Sequence, residues 1–226
     1  MSPGETGAAP THDLEQVRQA QIRFEAATAS LDDAAVAEPC RLPGWTVGHL
    51  LAHVARNADS HVRRSQAAAR GEVVDQYPGG FEGRAAEIER DARRPAAVLV
   101  ADVHDSAQRL DEVWRSLPEE AWAGVTRDVG GRERPVSGLV ARRWQELEVH
   151  RVDLAPGDAH REWSDAFVAR FLPLLRASRD ERLPAGAVAP APGVLDERDE
   201  LAWLYGRLDG DARTGGADLP ELAPWS

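Results

Sequence analysis

Lysine is absent from the 226-residue chain, so all 27 of its basic residues are arginine. Beside so much alanine, glycine and proline, this reads as the codon bias of a GC-rich genome rather than as a charge device. Acidic residues number 38, and the net charge of −11 excludes the basic footprint that a nucleic-acid partner needs. A single cysteine, Cys40, excludes an internal disulfide and any Cys-x-x-Cys metal site, and points to a cytoplasmic protein. No apolar run approaches the ~20 residues of a membrane span, so no membrane partner is expected. The opening MSPGETGAAP lacks the apolar core of a signal peptide, and residues 1–12 read as a disordered leader. No internal repeat is visible. What remains is the composition of a globular protein, 42% hydrophobic and 29% charged, at a length that fits one large domain or one with a small companion.

The stretch Ser137–Gly157, SGLVARRWQELEVHRVDLAPG, is the most informative. It reads as a helix, and its Glu146 and His150 stand four residues apart. That spacing stacks both side chains on one face, roughly 6 Å apart, where rigid backbone lets them chelate one divalent ion. Arg143 and Asp153 share the polar stripe, while Val140, Trp144, Leu147 and Leu154 make an apolar face beside it. Glu-x-x-x-His alone is common on solvated helices, so a third ligand must come from elsewhere. A second helix, GWTVGHLLAHVARNADSHV, offers it. Thr46 suits the N-cap, and Val47, Leu50, Leu51, Val54, Ala58 and Val62 follow helical spacing. His49, His53 and Asn57 form a polar row at successive i+4 steps. That row is either a hydrogen-bonded seam of the bundle or the source of a histidine for Glu146 and His150. His61, two turns on, is assigned to the surface.

The other elements are read more coarsely. A first helix spans about Asp13–Leu31, with Leu14, Val17, Ile22 and Phe24 as its apolar residues. Asp32–Gly44, punctuated by Pro39 and Pro43, breaks it. After a Gly-rich loop at Gly71–Gly83, residues Arg84–Leu117 form one long helix or two meeting at Pro95. A short hairpin fits the irregular segment around Gly130-Gly131. Beyond Gly157, Trp163–Arg179 is amphipathic, Leu183–Leu195 suggests a short extended segment, and Leu201–Leu208 a short helix. The fold class is mainly α: a four-helix bundle over residues 13–155, then a small α-rich or α+β domain over 156–226.

Five segments occur in a telling order: GWTVGHLLAHVARNAD, EGRAAEIERDARRPAAVLVADVHDSAQRLDEVW, RRWQELEVHRVDL, WLYGRLDG and LPELAPW. Together they resemble the mycothiol-dependent maleylpyruvate isomerases, whose main domain is a DinB-like four-helix bundle. The likeness runs over nearly the whole chain from about residue 13. It implies zinc held by His53, Glu146 and His150, and so chooses His53 over His49. Glu148 points about 160° away from Glu146 and is excluded as a partner by helix geometry. Two histidines and one carboxylate leave a coordination position open, as catalytic zinc sites do.

The resemblance further implies mycothiol as cofactor, its sulfur ionised near the metal. Thiolate addition turns the cis double bond of maleylpyruvate into a single bond. Rotation and loss of the thiol then give fumarylpyruvate. An arginine of the C-terminal domain is implicated in activity, and Arg207 in WLYGRLDG is its closest match. Guanidinium forks suit a dicarboxylate, and Arg84 and Asn57 are further candidates to face the pocket. Asp153 either orients the His150 imidazole or makes a surface salt bridge, and Cys40 is structural. The Ala/Pro-rich LPAGAVAPAPG is a departure that bears on the substrate more than on the fold. Two alternatives share the bundle: a mycothiol S-transferase acting on small electrophiles, and a non-catalytic protein binding metal or a small ligand. A polar, arginine-lined pocket favours the isomerase over the transferase.

Overall fold

Helical periodicity in the first two thirds of the sequence becomes a bundle. In chain order its elements are α1 (Thr11–Thr28), α2 (Asp33–Ala37), α3 (Val47–Ala69), α4 (Gly80–Asp91), α5 (Ala96–Ser116), the strands β1 (Val125–Arg127) and β2 (Glu133–Pro135), and α6 (Gly138–Asp153). The structure, a computed structural model, describes residues 9–154, 157–209 and 219–224. The chain divides into two units, Met1–Leu154 and Ala155–Ser226. No helix among the described residues is long and apolar enough to cross a membrane.

In the first unit α3 is central. It packs on α5, α4 and α6, and α1 closes the bundle against α6 and α5. The apolar stripe of α3 is buried as its spacing requires, with Leu50, Leu51, Val54 and Ala58 all inaccessible to solvent. At its end the stripe differs from the sequence reading, because His61 is buried and Val62 only half-buried. On α1 the buried positions are Val17, Ala20, Phe24 and Thr28, at steps of three and four. Ile22 is 60% exposed, because two residues from both Ala20 and Phe24 it points to the opposite side. α1 starts at Thr11, inside the segment read as a leader, whose residues 1–8 lie outside the described residues.

The Asp32–Gly44 break contains the short α2, which the prolines had hidden. Asp32 caps it by accepting from the Ala35 N–H at 2.8 Å. The next residue, Asp33, accepts from the Ala96 N–H at 2.7 Å and so satisfies the first turn of α5, where Pro95 has no capping side chain. α4 and α5 are therefore two helices separated at Pro95. An arginine network holds them to α3: Arg56 reaches Asp91 at 2.9 Å and Asp102 at 2.8 Å, and Arg94 shares Asp102. One planar fork bridges two carboxylates on different helices, which a lysine ammonium does less well. The expected hairpin is β1 paired antiparallel with β2, Thr126 opposite Arg134, turning at Gly131 with φ +82°.

Gly83 fixes the entry to α4. A Cβ there would lie 1.8 Å from the Pro78 carbonyl oxygen, a backbone atom that cannot rotate away. Gly83→Ala is therefore expected to shift residues 78–83 and to destabilise the bundle by roughly 1–3 kcal/mol, seen as a lower Tm in thermal unfolding.

The second unit holds α7 (Asp165–Ala177), α8 (Arg179–Arg182) and α9 (Glu197–Tyr205), with no strand among its described residues. Ser164 caps α7 through the Phe167 N–H, and Asp196 caps α9 through those of Arg198 and Asp199. These caps start α7 two residues later and α9 four residues earlier than the apolar spacing indicated. Trp163, Phe167, Phe171 and Tyr205 form its aromatic core, with Trp163 and Phe167 ring centroids 5.3 Å apart. Leu183–Leu195 has no regular element: its alanines and prolines neither pair as a strand nor propagate a helix.

Candidate metal centre

The start of α3 decides which histidine faces α6. Thr46 and His49 form a reciprocal capping box, with His49 Nδ1 accepting from the Thr46 N–H at 3.2 Å. The other ring nitrogen of His49 meets Glu89 at 3.0 Å. Both its nitrogens are thus engaged at the helix end. One turn on, His53 turns to α6 instead. Its Nε2 lies 3.0 Å from Glu146 Oε2 and 3.1 Å from His150 Nε2, and the His150 and Glu146 atoms are 3.1 Å apart. The structure therefore brings His53, Glu146 and His150 together, and leaves His49 out. His49→Ala is expected to leave metal content unchanged while loosening the first turn of α3, checked by metal analysis alongside a melting curve.

Three donor atoms at the corners of a near-equilateral triangle suit one small cation. Donors about 2.0–2.1 Å from a tetrahedral ion stand roughly 3.3 Å apart, so the observed triangle needs only a few tenths of an ångström of expansion. Among the described residues this is the group with the donor set and spacing for a metal. The Glu146 side chain stays 22% exposed, so the cluster is open to solutes.

Asp153, on the last turn of α6, accepts from His150 Nδ1 at 2.9 Å and is fully buried. Of its two sequence readings, the imidazole-orienting one holds. This bond places the His150 proton on Nδ1 and aims the Nε2 lone pair into the triangle. Burial alone would lower the His150 pKa, but the carboxylates of Asp153 and Glu146 outweigh it and push the imidazole up to about 9. Burial dominates at His53 and lowers it to about 4. Burial would raise the Glu146 pKa, but its hydrogen bonds to both histidines hold it well below the usual carboxylate range.

Below about pH 9 the metal-free centre thus carries a proton on His150 that an entering ion displaces. Metal uptake at pH 7 is expected to release about one proton, with affinity rising up to about tenfold per pH unit toward pH 9 and levelling above it. Calorimetry in buffers of different ionisation enthalpy measures that release.

Around the triangle, the Trp45 ring stands edge-on to His53, with centroids 5.6 Å apart. Arg84 reaches His53 Nδ1 at 3.1 Å. Asn57 does not line the centre; its Oδ1 accepts from the buried Arg143 at 2.9 Å. Glu148 is buried and paired with Arg23 on α1, as its opposite direction required. Cys40 donates its backbone N–H to Trp45, 3.0 Å away, ahead of α3. His61 corrects the surface assignment: it is 1% exposed, takes a hydrogen bond from Arg64 at 2.7 Å and stacks near Trp114. Seven residues, nearly two full turns, from the buried Val54, it returns to the same inward face. Arg207 belongs to the second unit, just after α9, and donates to the Tyr205 carbonyl at 2.8 Å. Trp45 and Tyr77 escaped the sequence reading because each precedes its helix, outside any periodic pattern.

Fold and site define a DinB-like helical bundle carrying two histidines and a glutamate with the donor set of a metal centre. Residues 17–155 match the family described as mycothiol maleylpyruvate isomerase N-terminal domain, and the chain belongs to that family. Two solved structures share its fold over 95% of this chain and 96% of theirs. One is a mycothiol-dependent maleylpyruvate isomerase, with 25% identity and a TM-score of 0.80. The other is a histidine-to-alanine variant of a mycothiol-dependent maleylpyruvate isomerase, with 24% identity and a TM-score of 0.82. YfiT from Bacillus subtilis, a four-helix bundle of unusual topology, is similar in fold at 15% identity and TM-score 0.53, over 73% of this chain and 92% of its own. No curated protein matches the chain.

Proposed function

We propose that the chain is a zinc- and mycothiol-dependent isomerase that converts maleylpyruvate to fumarylpyruvate, with His53, Glu146 and His150 as metal ligands. The observation that carries this reading is the 3.0–3.1 Å donor triangle in a chain of this family. When bound, the ion would supply the positive charge that lowers a thiol pKa from about 8.5 and an open position to receive the sulfur. His53 and His150 contribute neutral nitrogens, Glu146 one negative charge, and Asp153 holds the His150 proton away from the centre. Trp45 walls one side of His53. Cis-to-trans conversion leaves atoms, electrons and net charge unchanged, so the protein needs no resident redox group. Its residues bind and orient a dicarboxylate and stabilise charge as it develops.

A mycothiol S-transferase acting on small electrophiles would use the same centre with an apolar acceptor side. Arg84 beside His53 makes this side polar and favours the isomerase. The resemblance proposes Arg207 as a further substrate contact. A single free cysteine and a reduced thiol cofactor fit a cytoplasmic setting. Metal analysis of protein purified without chelator tests the centre. One zinc per chain, with turnover lost on chelation and restored by zinc, is the expected result. Metal-free protein with full isomerase turnover would remove the ion from the reaction.

A further inference from the structure

Arg84, in the second turn of α4, is a guanidinium without a carboxylate. On the same segment Arg90 pairs with Asp91 and Arg93 with Glu89, but among the described residues no acidic group pairs with Arg84. It is held instead by two aromatic faces, its guanidinium carbon 5.8 Å from the ring centroids of both Trp45 and Tyr77. Nη2 lies 3.1 Å from His53 Nδ1. Arginine only donates, so Nδ1 accepts and the ring proton sits on Nε2. Nη2 is engaged there, but the guanidinium has further N–H groups and no carboxylate partner among the described residues.

A planar fork without a carboxylate beside the centre suits one supplied by a dicarboxylate substrate. A second feature lies at the same place. Tyr77, under Arg84, is 2% exposed; Arg84 stands against its phenol oxygen, and no acceptor among the described residues takes the hydroxyl proton. A buried O–H without an acceptor is costly and stands ready to donate. Burial pushes the Tyr77 phenol up, the Glu146 charge adds to that and Arg84 opposes it, which sets the hydroxyl among the charges of the centre.

We propose that Arg84 and the Tyr77 hydroxyl together receive a carboxylate of the substrate beside the metal centre. The substrate's identity rests on the isomerase reading above; the carboxylate seat rests on these two side chains.

Calorimetric titration of maleate, a cis-dicarboxylate, into zinc-loaded protein tests the seat. Arg84→Gln is expected to weaken maleate at least about tenfold with zinc content unchanged, the effect of losing a charge-assisted pair. Arg84→Lys keeps the charge without the fork and falls between, and Tyr77→Phe weakens binding about threefold. Wild-type maleate affinity in Arg84→Gln, or no maleate binding by the zinc-loaded wild type, overturns the proposal. Turnover of maleylpyruvate with mycothiol is read separately. An unchanged KM in Arg84→Gln sinks the seat and spares the isomerase. Arg84-dependent maleate binding without wild-type turnover supports the seat and sinks the isomerase.

Discussion

Glu146→Ala is expected to strip the metal and abolish turnover while the bundle keeps its helix content. The side chain gives the triangle its one negative charge and stands 3.0 Å and 3.1 Å from the two histidine nitrogens. Zinc-site energies of about 10–16 kcal/mol over four ligands imply roughly 2.5–4 kcal/mol for each, or about two to three powers of ten in affinity. His53→Ala and His150→Ala are expected to lose comparable affinity. The fold should persist, because the apolar contacts of α3 and α6 come from Leu50, Leu51, Val54, Val140, Trp144 and Leu147, all buried elsewhere on those helices. Metal analysis with circular dichroism checks this. A variant at any of the three positions with full zinc occupancy would remove that residue from the centre.

Asp153→Asn is the second large effect, and it acts without touching the ion. The carboxylate accepts from His150 Nδ1 at 2.9 Å from a fully buried position. Asparagine keeps the volume but removes the charge, and presents either its oxygen or its amide to the ring. With the oxygen facing, the tautomer survives and the imidazole becomes a poorer donor; with the amide facing, the wrong tautomer is favoured. Metal affinity at pH 9, where proton competition has largely ended, is expected to fall about 10–100-fold. The same change removes a main cause of the raised His150 pKa, so fewer protons are released on uptake at pH 7. Unchanged affinity at pH 9 would reduce Asp153 to a packing residue.

The bundle was legible because its long helices obey one rule. Leu50, Leu51, Val54 and Ala58 on α3, and Val140, Trp144 and Leu147 on α6, repeat at threes and fours and are buried accordingly. Period alone misled where a polar residue does core work. His61 takes the inward place that Val62 was given, because Arg64 satisfies one of its ring nitrogens inside the bundle. The short α2 was hidden because one cap, Asp32 on the Ala35 N–H, outweighs the nearby prolines.

Two of the three members of the centre could be read directly, since Glu146 and His150 need only one helix to meet. The third member could not. His49 and His53 sit on one row, and only the capping box at Thr46 separates them, a contact that spacing does not encode. The resemblance chose His53, and the geometry takes His49 away to Thr46 and Glu89. Arg84 reaches the centre from a different helix, with Tyr77 in a Gly-rich loop, so only tertiary packing brings them together.

The most direct test of the central claim is a rate measurement on metal-analysed protein. Conversion of maleylpyruvate to fumarylpyruvate is followed with and without mycothiol, in zinc-loaded and zinc-stripped protein. Turnover is predicted only where thiol and zinc are both present. Turnover that persists without either one, or none when both are supplied to fully loaded protein, would contradict the account.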